Sequence, residues 1–377
     1  MKKICFVTGT RADYGILAPV MHEIKGHPEA ELQIVATNMH LSPQFGNTVE
    51  EIEKDGFQID AKIPSLEPGD TAASTVRSMA RVQEGLAGAF EKLQPDLVVI
   101  LGDRYEALAA ASAAVVFNIP IAHLHGGETT EGAIDDKFRH AITKLSTYHF
   151  AATPQYAGKI VEMGEKPENV FHSGAPGAEV EETPYDNLSP EFYVKTGIEP
   201  DEPYILLAIH PVTTLADKGK KDVEATLRAL EAFISQGYRI LATMPNSDPG
   251  NEMVTNLITD WAQKHRGTVV TVKSLGSRLF RHAMEHACAM VGNSSAALIE
   301  APSCRLGAVN VGTRQKGRAH GLTVIDVPAD IPGIIDAIDS VLSMEMRAVL
   351  MGVPVSGLNP YYKKDSARYI AEKLLEL

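Results

Sequence analysis

Cysteine and long apolar runs are both scarce in this chain of 377 residues. The three cysteines, Cys5, Cys288 and Cys304, are an odd number at no metal-like spacing, which argues for a reducing compartment and against disulfides or zinc. No apolar run reaches the roughly 18 residues that a membrane span needs. The first one leads directly into Gly9 and is too short for a signal peptide. These absences predict a cytoplasmic protein with no membrane partner.

Positive charge is also in short supply, and the common nucleotide signatures are missing. The chain has 35 Lys and Arg against 48 Asp and Glu, a net charge of −13, which disfavours nucleic acid as a partner. The loop after the first predicted strand is neither G-x-G-x-x-G nor a Walker A sequence, so it does not indicate binding of NAD or ATP. A small anionic ligand requires arginines and helix N-termini to gather locally. No cofactor and no metal is expected.

Short apolar runs alternate with amphipathic segments along the chain, as in βαβ units with a parallel sheet. Strands are predicted at 3–8, 32–37, 57–62, 97–101, 119–124 and 148–152, and again at 204–209, 239–244, 268–272, 288–291, 307–311 and 322–326. The clearest helices are predicted at 72–93, 217–236, 251–265, 277–286 and 294–302. This pattern predicts an α/β fold with two Rossmann-like domains facing a cleft.

The domain boundaries follow from length and from one proline-rich stretch. At 377 residues the chain exceeds what one compact core usually holds. Residues 176–203 carry several prolines and acids and are predicted to connect the domains. We predict an N-terminal domain at 1–174, a C-terminal nucleotide-binding domain at 175–363, and a helix at 364–377 that packs back on the first domain.

One stretch, 123–140, concentrates ionisable residues just beyond a predicted core strand. It holds three histidines, four carboxylates and an arginine, namely His123, His125, His140, Glu128, Glu131, Asp135, Asp136 and Arg139. Ligands of open α/β sheets bind outside the carboxyl ends of the strands, so this stretch is a candidate site. The alternative is a hydrated loop in which Asp135 and Asp136 only favour the start of a helix. The adjacent Gly126 and Gly127 favour close approach of the backbone.

Two other strand ends in the first half carry polar residues. The segment 8–15 contains Arg11 and Asp13 where a strand becomes a helix, and an arginine there can grip a phosphate, although Arg11 could be a surface cation. Asp103 and Arg104 follow the strand at 97–101. Asp103 is either a helix N-cap or a site acid.

The second half repeats this arrangement. His210 follows a strand and precedes a proline, so it is held in a loop as an acid–base group or as a buried structural histidine. Asn246 lies in a segment of turn-forming residues after the next predicted strand. The segment 292–302 places two hydroxyls at a predicted helix start and a glutamate two turns later. The segment 310–318 supplies three cations in five residues, which could bind a diphosphate or could form a solvated loop.

Six motifs in this order resemble the hydrolysing UDP-N-acetylglucosamine 2-epimerases of bacterial sialic-acid pathways, which have a GT-B-type fold. They are Thr-Arg-Ala-Asp-Tyr at 10–14, Gly-Asp-Arg at 102–104, His-Gly-Gly-Glu to Asp-Asp-x-x-Arg-His at 125–140, His-Pro-Val-Thr at 210–213, Gly-Asn-Ser-Ser at 292–295 and Gly-Thr-Arg-Gln at 312–315. The resemblance covers nearly the whole chain. It implies a UDP-sugar substrate and a homodimer.

The resemblance also implies roles for residues in these motifs. Those expected to hold UDP and the sugar are Arg11, Asp13, Arg104, Asn246, Ser294, Ser295, Glu300, Gly312 and Arg314. Those expected to take part in catalysis are Asp103, Asp135, His210, Glu128 and His125. In the implied reaction, UDP-N-acetylglucosamine loses UDP and the proton at carbon 2 to give a 2-acetamidoglucal, and water then adds to give N-acetylmannosamine. Which acid is the base stays open.

Three departures from the wider epimerase group qualify the resemblance. Relatives that only interconvert the two UDP-sugars have Glu where this chain has His125, so Glu128 or Glu131 is expected to take over that acid's role. Those relatives carry Arg-Pro-Glu in the first loop, whereas this chain has Arg-Ala-Asp, which favours the hydrolysing branch. The tail at 359–364 lacks the Gly-Asp-Gly often found there, and its role is in doubt.

Three alternatives stay open at the level of sequence. One keeps the reaction and changes the sugar, to UDP-N,N'-diacetylbacillosamine of legionaminic-acid biosynthesis. The second is a GT-B glycosyltransferase, which needs an acceptor. The third is a non-catalytic sensor of nucleotide sugars.

Overall fold

In the computed structural model, residues 1–179 and 189–377 are described, and they form two compact units. The first unit comprises Met1–Glu128, Ile134–Gly177 and Lys363–Leu377, and the second comprises Thr129–Ala133 and Ala178–Tyr362. The chain therefore leaves the first unit for five residues within the stretch 123–140. Part of the predicted connecting stretch 176–203 lies outside the described residues.

The first unit is a parallel sheet with helices between its strands. Its strands are β1 (Lys2–Thr8), β2 (Ala30–Thr37), β3 (Ala61–Ile63), β4 (Leu97–Leu101), β5 (Ile121–Leu124), β6 (Tyr148–Ala151) and β7 (Val170–His172), in the order β3-β2-β1-β4-β5-β6-β7. Its helices are α1 (Arg11–Ile24), α2 (Val49–Lys54), α3 (Ala72–Leu93), α4 (Tyr105–Val116), α5 (Asp135–Leu145), α6 (Pro154–Glu162) and, at the end of the chain, α15 (Ser366–Glu376). Short 3₁₀ turns lie at Asn38–Leu41, Pro43–Phe45, Pro167–Asn169 and Pro176–Ala178.

The second unit repeats this plan. Its strands are β8 (Tyr204–Ala208), β9 (Arg239–Thr243), β10 (Val269–Val272), β11 (Ala289–Gly292), β12 (Ala308–Val311) and β13 (Val324–Val327), in the order β10-β9-β8-β11-β12-β13. Its helices are α7 (Ser189–Thr196), α8 (Lys220–Ser235), α9 (Asn251–Lys264), α10 (Gly276–His286), α11 (Ala296–Ile299), α12 (Ile331–Leu342), α13 (Met344–Gly352) and α14 (Val355–Leu358), with a 3₁₀ turn at Ala301–Cys304. Neighbouring strands pair in parallel in both sheets.

Burial explains why the central strands form. The strands β1, β4 and β8 are almost entirely buried, as expected for parallel strands covered on both faces, and read as near-continuous apolar runs. The last helix, α15, buries Ile370 and Leu374 in the same core as Leu17 and Met21 of α1. The C-terminal helix thus belongs to the first unit.

The predicted α/β fold with two Rossmann-like domains is confirmed, with three local differences. The strand predicted at 57–62 begins only at Ala61, because Phe57 packs in the core beside α2 and α1. The strand β7 was not predicted, since its three residues are only half-buried and form no apolar run. The helix predicted at 294–302 is wrong in length, since its α-helical part ends at Ile299. In the described ranges no helix is long and apolar enough to cross a membrane.

Candidate functional site

Three adjacent strands of the first unit end in the loops that carry its predicted site residues. The strands β1, β4 and β5 end at Thr8, Leu101 and Leu124, and β4 lies between the other two. From β1 the sheet continues through β2 to β3 on one side, and from β4 it continues through β5 and β6 to β7 on the other. The topological switch point therefore lies between β1 and β4. Because ligands of open α/β sheets bind at such a point, these loops form the candidate site of this unit.

Asp13 shapes the loop after β1. Its carboxylate accepts hydrogen bonds from the backbone N–H of Gly9 (2.8 Å), Thr10 (2.8 Å) and Tyr14 (2.9 Å) and from Thr10 Oγ1 (2.7 Å). These bonds form a capping box that starts α1 at the half-buried Arg11. The structure thus gives Asp13 a role inside the loop, and contact of Asp13 and Arg11 with a substrate stays a prediction.

A buried carboxylate that the sequence did not single out, Glu106, packs against this loop. Its Oε1 accepts a hydrogen bond from Arg104 Nε at 2.6 Å, and a Cβ on Gly9 would lie 2.6 Å from Glu106 Cγ, so Gly9 must be glycine. Burial raises the pKa of Glu106, and the ion pair with Arg104 opposes that rise. Glu106 therefore holds Arg104, a predicted substrate ligand. The available signal was a glutamate inside the largely apolar segment 105–116.

Asp103 forms an ion pair with a buried arginine. The N-cap of α4 is Arg104, so Asp103 is not the cap that the sequence left open. Instead Arg139 on α5, which is 1% exposed, donates from Nη2 to Asp103 Oδ2 and lies 3.7 Å from Asp136. A guanidinium buried to this degree requires a carboxylate partner. The pair with Arg139 fixes Asp103 at the end of β4.

His125 and Glu128 form a buried hydrogen-bonded pair after β5. His125 Nδ1 lies 2.7 Å from Glu128 Oε1, and the Glu128 side chain is fully buried. A carboxylate accepts, so Nδ1 carries the proton and Nε2 is left as the acceptor of the neutral ring. Nε2 is buried and has no hydrogen-bond partner among the described residues. His125 also has a φ of +63°, a conformation that costs energy in a residue with a Cβ. This pair has the features of a general base.

The structure distinguishes the two glutamates that were expected to replace the missing acid. Glu128 is buried beside His125, whereas Glu131 has a side chain that is 51% exposed and forms an ion pair with Lys316 at 2.9 Å. Glu131 also belongs to the short segment 129–133 of the second unit. Glu128 is thus the buried residue of the two, and the role of either as the acid stays a prediction.

Asp135, the remaining predicted acid of this unit, is the first residue of α5. Its side chain is buried, while that of its neighbour Asp136 is 25% exposed and lies 3.7 Å from His140. A buried carboxylate is costly unless it is paired or serves chemistry. Both aspartates lie in the first turn of α5, where the helix dipole favours them, and Asp135 is the more buried of the two.

In the second unit the switch point lies between β8 and β11, and Asn293 joins the two strand ends. Its Oδ1 accepts from His210 N at 2.7 Å and its Nδ2 donates to His210 O at 2.9 Å. Its own carbonyl accepts from Arg314 Nη1 (3.1 Å) and Gln315 Nε2 (2.9 Å). The predicted residues His210 and Arg314 are thus held at one point by Asn293. Asn293 and Gln315 lay in the sequence motifs without a predicted role.

The cations of 314–318 are not equivalent. Arg314 has a side chain only 11% exposed and lies 3.9 Å from the buried Asp248, which follows the half-buried Asn246 in the loop after β9. Arg318 donates to Gln315 Oε1 at 3.1 Å, and Lys316 is exposed. The solvated-loop explanation therefore fits Lys316, and Arg314 is the cation built into the switch point. Nearby, Gly312 has a φ of +77° and lies against Asp222, so a side chain there would clash.

The segment with the two serines is less helical than predicted. Here α11 spans only Ala296–Ile299, and Glu300 lies between it and the 3₁₀ turn at Ala301–Cys304. Ser294 and Ser295 are half-buried and precede this single turn of helix. The amide donors expected at a long helix N-terminus are partly used within the turn, since Ala297 N and Leu298 N donate to the carbonyls of the serines. The pattern failed because Pro302 interrupts the helical run.

The tail at 359–364 pins the segment that carries Glu300. Asn359 Nδ2 donates to Ile299 O (2.8 Å) and to Ser303 Oγ (2.8 Å), and Asn359 Oδ1 accepts from Tyr361 N (3.0 Å). Tyr361 is fully buried and donates to Ala319 O. The tail therefore has a structural role here without the Gly-Asp-Gly sequence.

Replacing Asn359 by alanine is expected to lower the free energy of unfolding by about 2 kcal/mol, because the buried groups that bond to the Asn359 side chain would lose three hydrogen bonds. Urea unfolding followed by circular dichroism measures the change. The control is Asn256→Ala on the exposed face of α9, where alanine costs nothing. Equal stability of the two variants would remove this role for the tail.

Within the second unit, Gly132 lies directly on the Arg314 loop. A Cβ at Gly132 would clash with the backbone of Thr313 and Arg314, and Gly132 O accepts from Thr214 Oγ1 at 2.9 Å. Gly132→Ala should displace the loop and weaken UDP binding about tenfold, since overpacking costs about 1–3 kcal/mol. Titration calorimetry with UDP measures this. The control is Gly88→Ala, which should bind UDP with the affinity of the parent, because a Cβ added at Gly88 meets no atom within 4 Å. The same UDP affinity in both variants would contradict this role of Gly132.

Among the described residues no group of three His, Cys, Asp or Glu side chains is arranged to hold a metal ion. The two switch points offer hydrogen-bonding and acid–base groups. These are acids and a histidine in the first unit, and an arginine, a histidine and hydroxyls in the second.

Comparisons with known proteins agree with the motifs. Residues 22–375 match the family model described as UDP-N-acetylglucosamine 2-epimerase, a range that leaves out the loop at 8–15. The chain is 36% identical over 352 residues to the Campylobacter jejuni "GDP/UDP-N,N'-diacetylbacillosamine 2-epimerase (hydrolyzing)", covering 92% of this chain and 89% of that protein. It is 37% identical over 343 residues to the Legionella pneumophila "UDP-N,N'-diacetylbacillosamine 2-epimerase (hydrolyzing)", covering 91% and 89%.

A solved structure supports the fold. The Neisseria meningitidis UDP-GlcNAc 2-epimerase bound to UDP-GlcNAc superposes with a TM-score of 0.80 over the whole of both chains. Its sequence identity to this chain is 20%, so the likeness concerns the fold.

Proposed function

Because the chain belongs to the UDP-N-acetylglucosamine 2-epimerase family, in its hydrolysing branch, we propose that it catalyses the hydrolytic 2-epimerisation of a UDP-linked 2-acetamido sugar. The observation that carries the proposal is the buried pair of His125 and Glu128, in which Nε2 of the ring is left as an acceptor. A proton-abstracting enzyme needs such a group. A homodimer is proposed from the resemblance, and a cytoplasmic location from the number and spacing of the cysteines.

The reaction has two steps. In the first, a base takes the proton from carbon 2 while the bond from carbon 1 to the diphosphate oxygen breaks, which forms a carbon 1–carbon 2 double bond and frees UDP. In the second, water adds its hydroxyl to carbon 1, and an acid returns a proton to carbon 2 from the opposite face. The products are UDP and the free sugar of inverted configuration at carbon 2.

The residues divide between these tasks. We assign proton transfer to Asp103, Asp135 and the pair of Glu128 and His125, with His210 assisting. Carboxylate and imidazole side chains can both take and return protons, which is what the two steps require. The hydrogen bond to Glu128 stabilises the imidazolium that forms when His125 accepts a proton.

The diphosphate is assigned to cations and hydroxyls. We propose that Arg314, Arg11, Ser294 and Ser295 bind UDP, and that Glu300 accepts hydrogen bonds from the ribose hydroxyls. Arg314 is supported by its attachment to Asn293 at the switch point, where it is prepared to meet negative charge that develops as UDP leaves. Asp13 and Arg104 in the first unit, and Asn246 and Gly312 in the second, are proposed as further substrate-binding residues.

The sugar is the finer question. The sequence motifs predicted UDP-N-acetylglucosamine first, whereas the Campylobacter and Legionella relatives are both named for UDP-N,N'-diacetylbacillosamine. We therefore propose the diacetylated sugar as the preferred substrate and UDP-N-acetylglucosamine as the second candidate. One relative's name also includes GDP, so the nucleotide belongs in the same test.

Incubation of the purified protein with each nucleotide sugar alone, followed by NMR of the products, tests the proposal. UDP with the 2-epimer of the diacetylated sugar supports it, and turnover of UDP-N-acetylglucosamine alone would select the second candidate. Absence of reaction with every UDP- and GDP-linked sugar would favour a glycosyltransferase, which needs an acceptor, or a sensor. Addition of chelator should leave the rate unchanged.

A further inference from the structure

We propose that His123, which has no role in the mechanism above, is a positioning residue that holds both loops of proton-transfer groups in the first unit. This inference rests on the proposed function. His123 lies on β5, fully buried, two residues before His125. It pairs in register with Ile100 on β4 and with His149 on β6, and the groups in question follow the ends of β4 and of β5 itself.

The first contact is with the loop that carries Asp103. His123 Nε2 lies 2.7 Å from the carbonyl oxygen of Gly102. A carbonyl only accepts, so Nε2 must carry a proton. Gly102 has a φ of +77° and its N–H donates to Leu124 O, which places this residue in a tight turn directly before Asp103. The imidazole thus fixes the turn from one side and the neighbouring strand from the other.

The second contact is with the loop that carries His125 and Glu128. A Cβ on Gly126 would lie 2.9 Å from His123 Nδ1 and 3.1 Å from Thr143 Oγ1, so the backbone of Gly126 rests on the ring. Thr143 Oγ1 in turn lies 3.3 Å from His123 Nδ1 and 3.0 Å from the carbonyl of Arg139, the partner of Asp103. One side chain therefore touches the supports of both loops.

The ring is neutral over the working range of pH. Burial is the main cause that lowers the pKa of His123 to about 3; the neighbouring His149 and His125 act in the same direction, while the bond to Gly102 and the charge of Glu128 oppose it. A neutral ring with Nε2 protonated has Nδ1 as an acceptor, and the single hydroxyl proton of Thr143 is shared between Nδ1 at 3.3 Å and the carbonyl of Arg139 at 3.0 Å. His123 hence serves as a fixed donor and acceptor, and proton transfer is left to other groups.

Two conservative variants separate positioning from simple packing. In His123→Gln the amide nitrogen reaches the place of Nε2 and keeps the donor to Gly102, whereas in His123→Asn the amide reaches only the place of Nδ1. We expect His123→Gln to keep kcat within about fivefold of the parent and His123→Asn to lose about 100-fold, since a misplacement of about 1 Å costs that much. KM should change less than about threefold in both. His149→Gln is the control for replacing a buried histidine and should keep the parent kcat.

The proposal would be overturned if His123→Gln and His123→Asn had equal kcat while thermal melting showed that both variants are folded. A second readout does not depend on activity: ¹⁵N NMR of the histidine side chains should show His123 as the neutral Nε2–H form from about pH 5 to 8, the range in which an ordinary histidine titrates. An Nδ1–H form, or titration near the ordinary histidine pKa, would also overturn it. If the parent itself turns over no nucleotide sugar, the proposed function fails while the NMR result still decides the geometry.

Discussion

Glu128→Gln is expected to lower kcat by about 1000-fold, with a KM within a few-fold of the parent. Glutamine fills the same space and still accepts from His125 Nδ1, but it carries no charge to stabilise the imidazolium. General acid–base groups contribute about 10²–10⁴-fold, which sets the expected size. A continuous assay of UDP release measures the loss, and thermal melting checks the fold.

The matched control is Glu131→Gln in the same loop. Glu131 is exposed and its ion pair with Lys316 is worth less than about 1 kcal/mol, so its replacement should change kcat less than about fivefold. A greater loss in Glu131→Gln than in Glu128→Gln would show that the acid has been assigned to the wrong residue.

Asp135→Asn is expected to abolish UDP release, with a loss of about 1000-fold, while UDP binding stays within a few-fold. The reason is that Asp135 is a buried carboxylate at the start of α5, and its amide can no longer take or return a proton. Single-turnover release of UDP and calorimetric binding of UDP measure the two quantities separately. Normal turnover in this variant would remove the central assignment.

The neighbouring residue supplies the control. Asp136 is partly exposed and lies 3.7 Å from both Arg139 and His140. Asp136→Asn should reduce kcat by less than about tenfold, through small shifts of Arg139. If both aspartates prove equally important, the start of α5 acts as a unit and burial does not distinguish them.

Most of the fold was predictable because its central strands are short, nearly continuous apolar runs. The strands β1, β4 and β8 are buried on both faces, so their sequences alone identify them. The failures were local. The strand β7 is half-buried and short, and the predicted helix at 294–302 is divided because Pro302 favours the 3₁₀ turn.

The site was predictable in its residue types but not in its partners. The strand-end rule led to His125, Glu128 and Asp103. Their contacts could not be read, because the partner of Asp103 is Arg139, 36 positions away, and only the folded chain brings them together. Glu106 was missed for the same reason. Its packing partner Gly9 follows β1, whereas Glu106 lies in α4, so the two residues are far apart in the sequence.

The most direct test is turnover of the nucleotide sugar in D₂O, with the products followed by NMR. Abstraction at carbon 2 and return of a solvent proton predict free UDP and a 2-epimerised sugar that carries one deuterium at carbon 2. Release of UDP with a sugar of unchanged configuration and no deuterium would contradict this mechanism, since the acids around His125 would then have no proton to move.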